Sequence, residues 1–215
     1  MEGGSYIESS DAFSAFYSVE QPGLIVGKGA GLYVGSSFVV GERGRVTVGE
    51  FSIINGCSII CNARVSIGAH CLIAWSSVIT DTWPEDKVAL AIRRAAMKAV
   101  ARDPLRCVPI AGPSRSVTIE DNVWVGFGAV IMPGVRLGHG SVIGCRTVVR
   151  RNVEPYTVIA GDPPRVVKQL APDDTSVARN NALREMTKPQ LTNLARPPQA
   201  HRERAIAITT RDRLK

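Results

Sequence analysis

The sequence predicts an all-β chain folded as a parallel β-helix, and three observations carry this prediction. From residue 119 onward, branched aliphatic side chains recur every six residues without a slip, at Ile119, Val125, Ile131, Leu137, Ile143 and Val149. A small or β-branched residue follows each of them four positions later, at Val123, Ala129, Val135, Ser141, Thr147 and Val153. Within this stretch there is no helical pattern of ten or more residues, which a doubly wound α/β sheet would need between its strands.

A six-residue period corresponds to one short strand and one turn per repeat. Residues at a fixed phase then stack in columns, and each strand pairs with the equivalent strand of the next coil, which satisfies the backbone hydrogen-bonding groups. Glycine follows the aliphatic residue at Gly126, Gly138 and Gly144. We interpret these glycines as supplying turn conformations that are closed to other residues.

The first half of the chain repeats less regularly. The same phase holds at Val48, Ile54, Ile60, Ile67, Ile73 and Ile79, with one extra residue in the middle of the series. The chain therefore divides into four predicted parts: an N-terminal lead (1–22), a β-helix (23–168), a helical loop inserted in it (84–116) and a partly ordered C-terminal extension (169–215).

The inserted loop contains a predicted helix that is rich in cations. Residues 86–102 hold strong helix formers and several alanines, and the pattern ends at Asp103-Pro104. The cations are Arg93, Arg94, Lys98 and Arg102. Two interpretations are open: a solvated helix that packs on the side of the β-helix, which we favour, or a lid whose cations face an anionic ligand.

Composition limits the function classes. With 215 residues, 45% hydrophobic and 21% charged, the chain fits one domain with a tail and excludes wholesale disorder. Its apolar runs are too short to span a membrane and its start does not resemble a signal peptide. Five cysteines without paired metal-ligand spacing predict reduced thiols in the cytoplasm and no metal. The net charge of +7 is not interleaved with aromatic residues in the tail, so we expect no nucleic-acid partner.

Several segments resemble one family closely. They are VTIEDNVWVG at 117–126, IMPGV at 131–135, SVIG at 141–144 and VIAGDPPRVV at 158–167, with a weaker match over 24–80. The chain resembles the hexapeptide-repeat acyltransferases, closest to the maltose and galactoside O-acetyltransferases and those that act on surface polysaccharides. The resemblance implies a left-handed β-helix of triangular section and a homotrimer with active sites between subunits. It also implies transfer of an acetyl group from acetyl-CoA to a hydroxyl of a sugar or glycan precursor.

The resemblance also implies donor-binding residues. Phe127 and Cys145 match positions that line the pantetheine arm, beside Gly126. The positions near the phosphates and nucleotide are matched by Arg150, Arg151, Arg165 and Lys168. Cations suit these positions because coenzyme A carries phosphates. The alternative for Arg150 and Arg151 is that they are merely exposed turn residues.

The catalytic base is the point at which the sequence departs from the family. The family histidine would align with Pro84 or Glu85, and the chain has no histidine between residues 71 and 138. His70, His139 and His201 lie outside the motif, and we interpret them as structural or solvated. The candidate bases are the carboxylates of Glu85, Asp81 and Asp86, and Trp124 matches a tryptophan beside the family's active site.

Other interpretations of the missing histidine stay open. The acceptor itself can be easily deprotonated, or the chain has lost transferase activity and is a non-catalytic β-helix scaffold or assembly protein. The acceptor can be a saccharide, an antibiotic or an amino sugar. A carbonic-anhydrase-like activity would need a histidine-rich metal site, which three scattered histidines do not supply.

Overall fold

The computed structural model describes residues 4–83, 89–102 and 113–172, and the regular structure there consists mostly of short strands. In chain order they are β1 (Tyr6–Ile7), β2 (Leu24–Val26), β3 (Gly31–Tyr33), β4 (Ser37–Val40), β5 (Arg45–Val48), β6 (Ile53–Asn55), β7 (Ser58–Cys61), β8 (Arg64–Ile67), β9 (Leu72–Ile73), β10 (Val78–Thr80), β11 (Val117–Ile119), β12 (Trp124–Val125), β13 (Val130–Ile131), β14 (Arg136–Leu137), β15 (Val142–Ile143), β16 (Val148–Val149), β17 (Thr157–Ala160) and β18 (Arg165–Gln169). The inserted loop contains the helix α1 (Leu90–Arg102).

Three parallel sheets form the sides of a β-helix. Sheet A has the order β1-β3-β6-β9-β12-β15-β17-β18, sheet B the order β4-β7-β10-β13-β16, and sheet C the order β2-β5-β8-β11-β14. Each coil passes from C to A to B, so the chain makes three corners, C–A, A–B and B–C. Among these strands every pair is parallel except β17 with β18, which are antiparallel. The predicted parallel β-helix is confirmed.

The aliphatic columns form the core. Val125 pairs in register with Ile73 on one side and Ile143 on the other, and all three are fully buried. The small residues four positions later, such as Ala129 and Ser141, are also fully buried because they lie inside the corners. The six-residue period therefore records one inward side chain per strand and one per corner.

The role that we assigned to three glycines is wrong. Gly126, Gly138 and Gly144 do not have positive φ. In this half of the chain the left-handed residue comes three positions after the aliphatic one, at Asn122, Gly128, Gly134, Gly140 and Arg146. The glycines are required by stacking instead: a Cβ on Gly138 would lie 2.5 Å from the Pro155 nitrogen, and one on Gly126 would lie 2.7 Å from the Ile143 carbonyl oxygen. These are positions where neighbouring coils approach too closely for a side chain.

The inserted loop leaves and re-enters the β-helix at one point of the B–C corner. Thr82 and Ser114 form an antiparallel bridge, and the Arg115 N–H donates to the Asp81 carbonyl at 2.7 Å. Every side chain of α1 whose burial the structure describes is exposed. The exposure agrees with the solvated helix that we favoured, but the described side chains of α1 are not packed against the side of the β-helix. Among the described residues, no helix is long and apolar enough to cross a membrane.

Candidate functional site

The outer face of sheet A carries a slot parallel to the axis of the β-helix. Its floor is a column of small residues, which the strand register places next to one another: Ala74, Gly126, Gly144 and Ala160. One wall is the outward column of the same strands: Leu72, Trp124, Val142 and Val158. The other wall lies at the A–B corner, one residue beyond the floor: Trp75, Phe127 and Cys145. We call this feature the slot.

Stacking keeps the floor of the slot flat. A Cβ on Gly144 would lie 2.8 Å from the Ala160 Cβ, and the space at Gly126 is closed by the backbone of the next coil. The walls rise above this floor because the side chains of Trp124, Phe127 and Trp75 are 52%, 45% and 55% exposed. Exposed apolar side chains, several of them aromatic, thus stand on both sides of a row of small residues, which suits a thin, extended, uncharged chain.

The four predicted phosphate-binding cations fall into two pairs. Strand β18 aligns Arg165 with Ala160 and Lys168 with Val158. Because Ala160 and Val158 face outward, Arg165 and Lys168 stand at the end of the slot, and both are exposed. Positive charge at the end of an apolar channel matches a ligand with an apolar arm and an anionic head.

Arg150 and Arg151 line a different feature. They lie at the B–C corner and border a cleft of about 550 Å³ at the end of the β-helix, with Val166 and Gln169 on its other side. The guanidinium of Arg150 also pairs with the Asp162 carboxylate at 2.9 Å. The structure therefore does not group these two arginines with the pair formed by Arg165 and Lys168.

Asp81 is a structural residue and not an accessible base. Its side chain is fully buried. Its carboxylate accepts the backbone N–H groups of Asn62, Ala63 and Arg64 at 2.7–2.8 Å, and the Cys61 thiol lies 3.5 Å away. A carboxylate held in this way organises the turn between β7 and β8 and presents no oxygen to a substrate. The assignment of Asp81 as a catalytic candidate is therefore corrected.

Glu85 and Asp86 lie outside the described residues. The loop that contains them starts at Thr82, at the B–C corner, whereas the slot runs along sheet A and the A–B corner. Trp124, the remaining catalytic candidate, lies in the wall of the slot. One β-helix thus presents the slot and the root of this loop on different corners.

The described histidines are not in the slot. His70 and His139 lie at the C–A corner, at the far edge of sheet A. The His70 ring stacks on Phe51 with ring centroids 5.4 Å apart, and His139 contacts the Tyr156 ring edge-on at 5.3 Å. These contacts favour the structural interpretation of both residues. His201 lies outside the described residues.

Two residues at the slot, Trp75 and Arg146, were not predicted from the sequence. Trp75 follows the inward Ile73 by two positions, as Phe127 follows Val125, so the six-residue phase was the signal that could have found it. Arg146 follows Cys145 at the same corner, and its N–H donates to the Phe127 carbonyl at 2.8 Å. Its exposed side chain adds a cation beside the slot, next to Phe127.

The buried thiols are unreactive. Burial raises the pKa of Cys57 to about 12 and that of Cys71 to about 11. Burial, reinforced by the negative charge of Asp81, raises the pKa of Cys61 to about 12. A protonated thiol is a poor nucleophile and a poor metal ligand. Among the described residues, Cys145 is the exposed thiol, and no group of three or more potential metal ligands occurs there.

The repeat itself is that of a known family. Residues 116–151 match the family model described as bacterial transferase hexapeptide (six repeats). Two solved structures share the fold. A galactoside acetyltransferase in complex with coenzyme A is 27% identical, with 70% of this chain and 68% of that chain covered and a TM-score of 0.53. A hexapeptide-repeat acetyltransferase from Vibrio cholerae is 26% identical, with 69% and 74% covered and a TM-score of 0.51. The predicted resemblance to the hexapeptide-repeat acyltransferases and the left-handed β-helix are confirmed.

Similarity to curated relatives is confined to short segments. The galactoside O-acetyltransferase of Escherichia coli K12 is 44% identical over 54 residues, which are 25% of this chain and 27% of that protein. A chloramphenicol acetyltransferase of Klebsiella aerogenes is 41% identical over 59 residues, which are 27% and 28%. The chain thus spans about a quarter to a third of the length of the curated relatives that it matches.

Proposed function

We propose that this chain is an acetyl-CoA-dependent O-acetyltransferase that modifies a hydroxyl of a sugar or glycan precursor. The slot on sheet A carries the proposal, because it joins a narrow apolar channel to a cationic end. An acetyl-pantetheine arm fits the channel, and the phosphates meet Arg165 and Lys168. The names of the similar proteins support this choice, since they include a galactoside acetyltransferase in complex with coenzyme A.

The proposed reaction is a direct transfer between the two substrates. The acceptor oxygen attacks the thioester carbonyl carbon while a base takes the hydroxyl proton. The C–S bond then breaks, and the coenzyme A sulfur leaves with that proton. Trp124 and Phe127 hold the thioester between them and exclude water, which raises the pKa of a carboxylate enclosed there.

We further propose that the base is Glu85, with Asp86 as the second candidate, supplied by a neighbouring copy in a homotrimer. The placement of the loop root and of the slot on different corners supports this assembly. A carboxylate has a pKa near 4.3 in water and is a weak base there. The carboxylate must therefore be desolvated in the closed site to remove a sugar hydroxyl proton. Use of cytoplasmic acetyl-CoA and the free thiols Cys57, Cys61, Cys71 and Cys145 favour a cytoplasmic location.

Calorimetric titration with acetyl-CoA tests the donor site. We expect one site per subunit. Replacing both Arg165 and Lys168 with alanine should weaken binding roughly 100-fold, since a charge-assisted hydrogen bond contributes about 1.5–3 kcal/mol. The matched variant R150A/R151A removes the same charge from the terminal cleft. It should bind within about threefold of the wild type, because exposed charges that do not contact the ligand contribute little. An equal loss of affinity for acetyl-CoA in both variants would show that the slot is not the donor site.

The second candidate function is a non-catalytic scaffold. The observation that favours it is that none of the histidines in the described part of the chain lies in the slot. A scaffold that kept the fold but lost its donor would give no heat with acetyl-CoA at millimolar concentration. Saturable binding of acetyl-CoA, together with full activity in the Glu85→Gln and Asp86→Gln variants, would instead support the transferase function. It would also show that neither carboxylate is the base.

A further inference from the structure

We propose that α1 is a docking helix for an anionic lipid surface. This role is independent of the proposed acetyl transfer. Leu90–Arg102 contains Arg93, Arg94, Lys98 and Arg102, and no acidic residue. The helix belongs to the loop whose base is closed at the B–C corner by the Thr82–Ser114 bridge. Its side chains of described burial are exposed, so they are free to contact a surface outside the β-helix.

The cations form a continuous stripe. Arg94, Lys98 and Arg102 are four residues apart, which places them on one face of a helix. On this face there is no carboxylate to neutralise them, since the helix contains none. Such a stripe is attracted to a negatively charged surface and is repelled by a positively charged one.

The remaining sides of α1 carry exposed apolar side chains. Leu90, Ile92 and Met97 are 50%, 63% and 64% exposed. At about 100° per residue, Ile92 and Met97 fall outside the basic stripe, whereas Leu90, four residues before Arg94, lies at its edge. Arg93 lies among them, and its long aliphatic stem allows its charge to reach a polar surface from an apolar one.

An anionic bilayer is the partner that satisfies both features together. Its phosphates meet the basic stripe, and the acyl boundary receives Leu90, Ile92 and Met97 without demanding a matched shape. A nucleic acid would satisfy the cations but would leave these apolar side chains in water. A helix of 13 residues with this pattern lies in the plane of the interface and does not span it.

Sedimentation with extruded vesicles tests the proposal with the full chain. We expect tight partition onto vesicles of equal parts phosphatidylglycerol and phosphatidylcholine, and weak partition onto phosphatidylcholine alone. The variant R94Q/K98Q/R102Q should lose about 100-fold, since each cation near an anionic surface contributes about a fivefold factor. The control K28Q/R43Q/R64Q removes three exposed charges from the β-helix and should partition like the wild type.

A second variant separates insertion from plain charge attraction. I92S/M97S keeps every cation and should still lose at least about tenfold, because two apolar side chains no longer enter the bilayer. The proposal is overturned if the chain prefers neutral vesicles, if both triple variants lose binding equally, or if I92S/M97S binds as the wild type does. The proposal would also be overturned if the wild type did not bind vesicles and R94Q/K98Q/R102Q no longer formed the oligomer. The partner of α1 would then be a second copy of the chain.

Discussion

The buried carboxylate of Asp81 offers the sharpest test of the structure. In the Asp81→Asn variant an amide replaces a group that accepts three backbone N–H groups, from Asn62, Ala63 and Arg64. The amide keeps one acceptor oxygen, and its NH₂ group faces donors. Hydrogen bonds to a charged acceptor contribute about 1.5–3 kcal/mol each, and a buried donor left unpaired costs about 1–3 kcal/mol.

We expect Asp81→Asn to lower the free energy of unfolding by about 3 kcal/mol, since the variant loses one to two of these interactions. For a chain of this size that corresponds to a fall in melting temperature of about 6–12 °C. Thermal unfolding followed by circular dichroism measures it. The exposed-site control Glu42→Gln should stay within about 0.5 kcal/mol of the wild type.

Activity distinguishes this structural role from a catalytic one. At a temperature well below its melting transition, Asp81→Asn should keep the turnover number of the wild type per folded molecule. A variant that melts like the wild type but loses turnover would refute the reasoning and return Asp81 to the candidate bases.

Two other features predict measurable effects. Gly138→Ala should lower stability by about 1–3 kcal/mol because its Cβ would lie 2.5 Å from the Pro155 nitrogen, whereas Gly4→Ala, which has open space, should be neutral in the same denaturant titration. In the native state an alkylating reagent should modify Cys145 and spare Cys57, as peptide mass mapping would reveal; equal labelling would contradict the burial of Cys57. Above pH 9 the unfolded chain releases the thiol protons of Cys57, Cys61 and Cys71, whose pKa values in the fold are raised to about 12, 12 and 11. Stability should therefore fall by about 1.4 kcal/mol per pH unit for each of these thiols in urea titrations above pH 9; a flat profile would argue against it.

The sequence predicted the fold well because its signal is local and repeated. Ile131 and Ile143 are buried in the columns that their six-residue phase predicts. The structural role of Gly126 was harder to predict from the sequence. Glycine is required there because the carbonyl of Ile143, in the next coil, leaves no space for a side chain. A periodic pattern shows which residues are equivalent, but the spacing between coils decides why a side chain is excluded.

The site was predicted less completely, for two physical reasons. Trp75 and Phe127 are far apart in sequence and become neighbours only because β9 and β12 pair in register. Asp81 carries a carboxylate, which is a group that can act as a base. Only its burial beneath three backbone N–H donors reveals its structural role. Arg151 and Lys168 likewise look equivalent in sequence, yet the antiparallel return of β18 places Lys168 on the outer face of sheet A.

The antiparallel strand β18 also bears on how the molecule avoids polymerising. A stack of parallel coils has a template for another coil at each end, because unpaired strand edges recruit further strands. By turning back along β17, β18 occupies the edge of β17 on which a further parallel strand would otherwise pair. The same strand that ends the slot thus interrupts the parallel pairing of sheet A, and its loss would expose the edge of β17 to another chain.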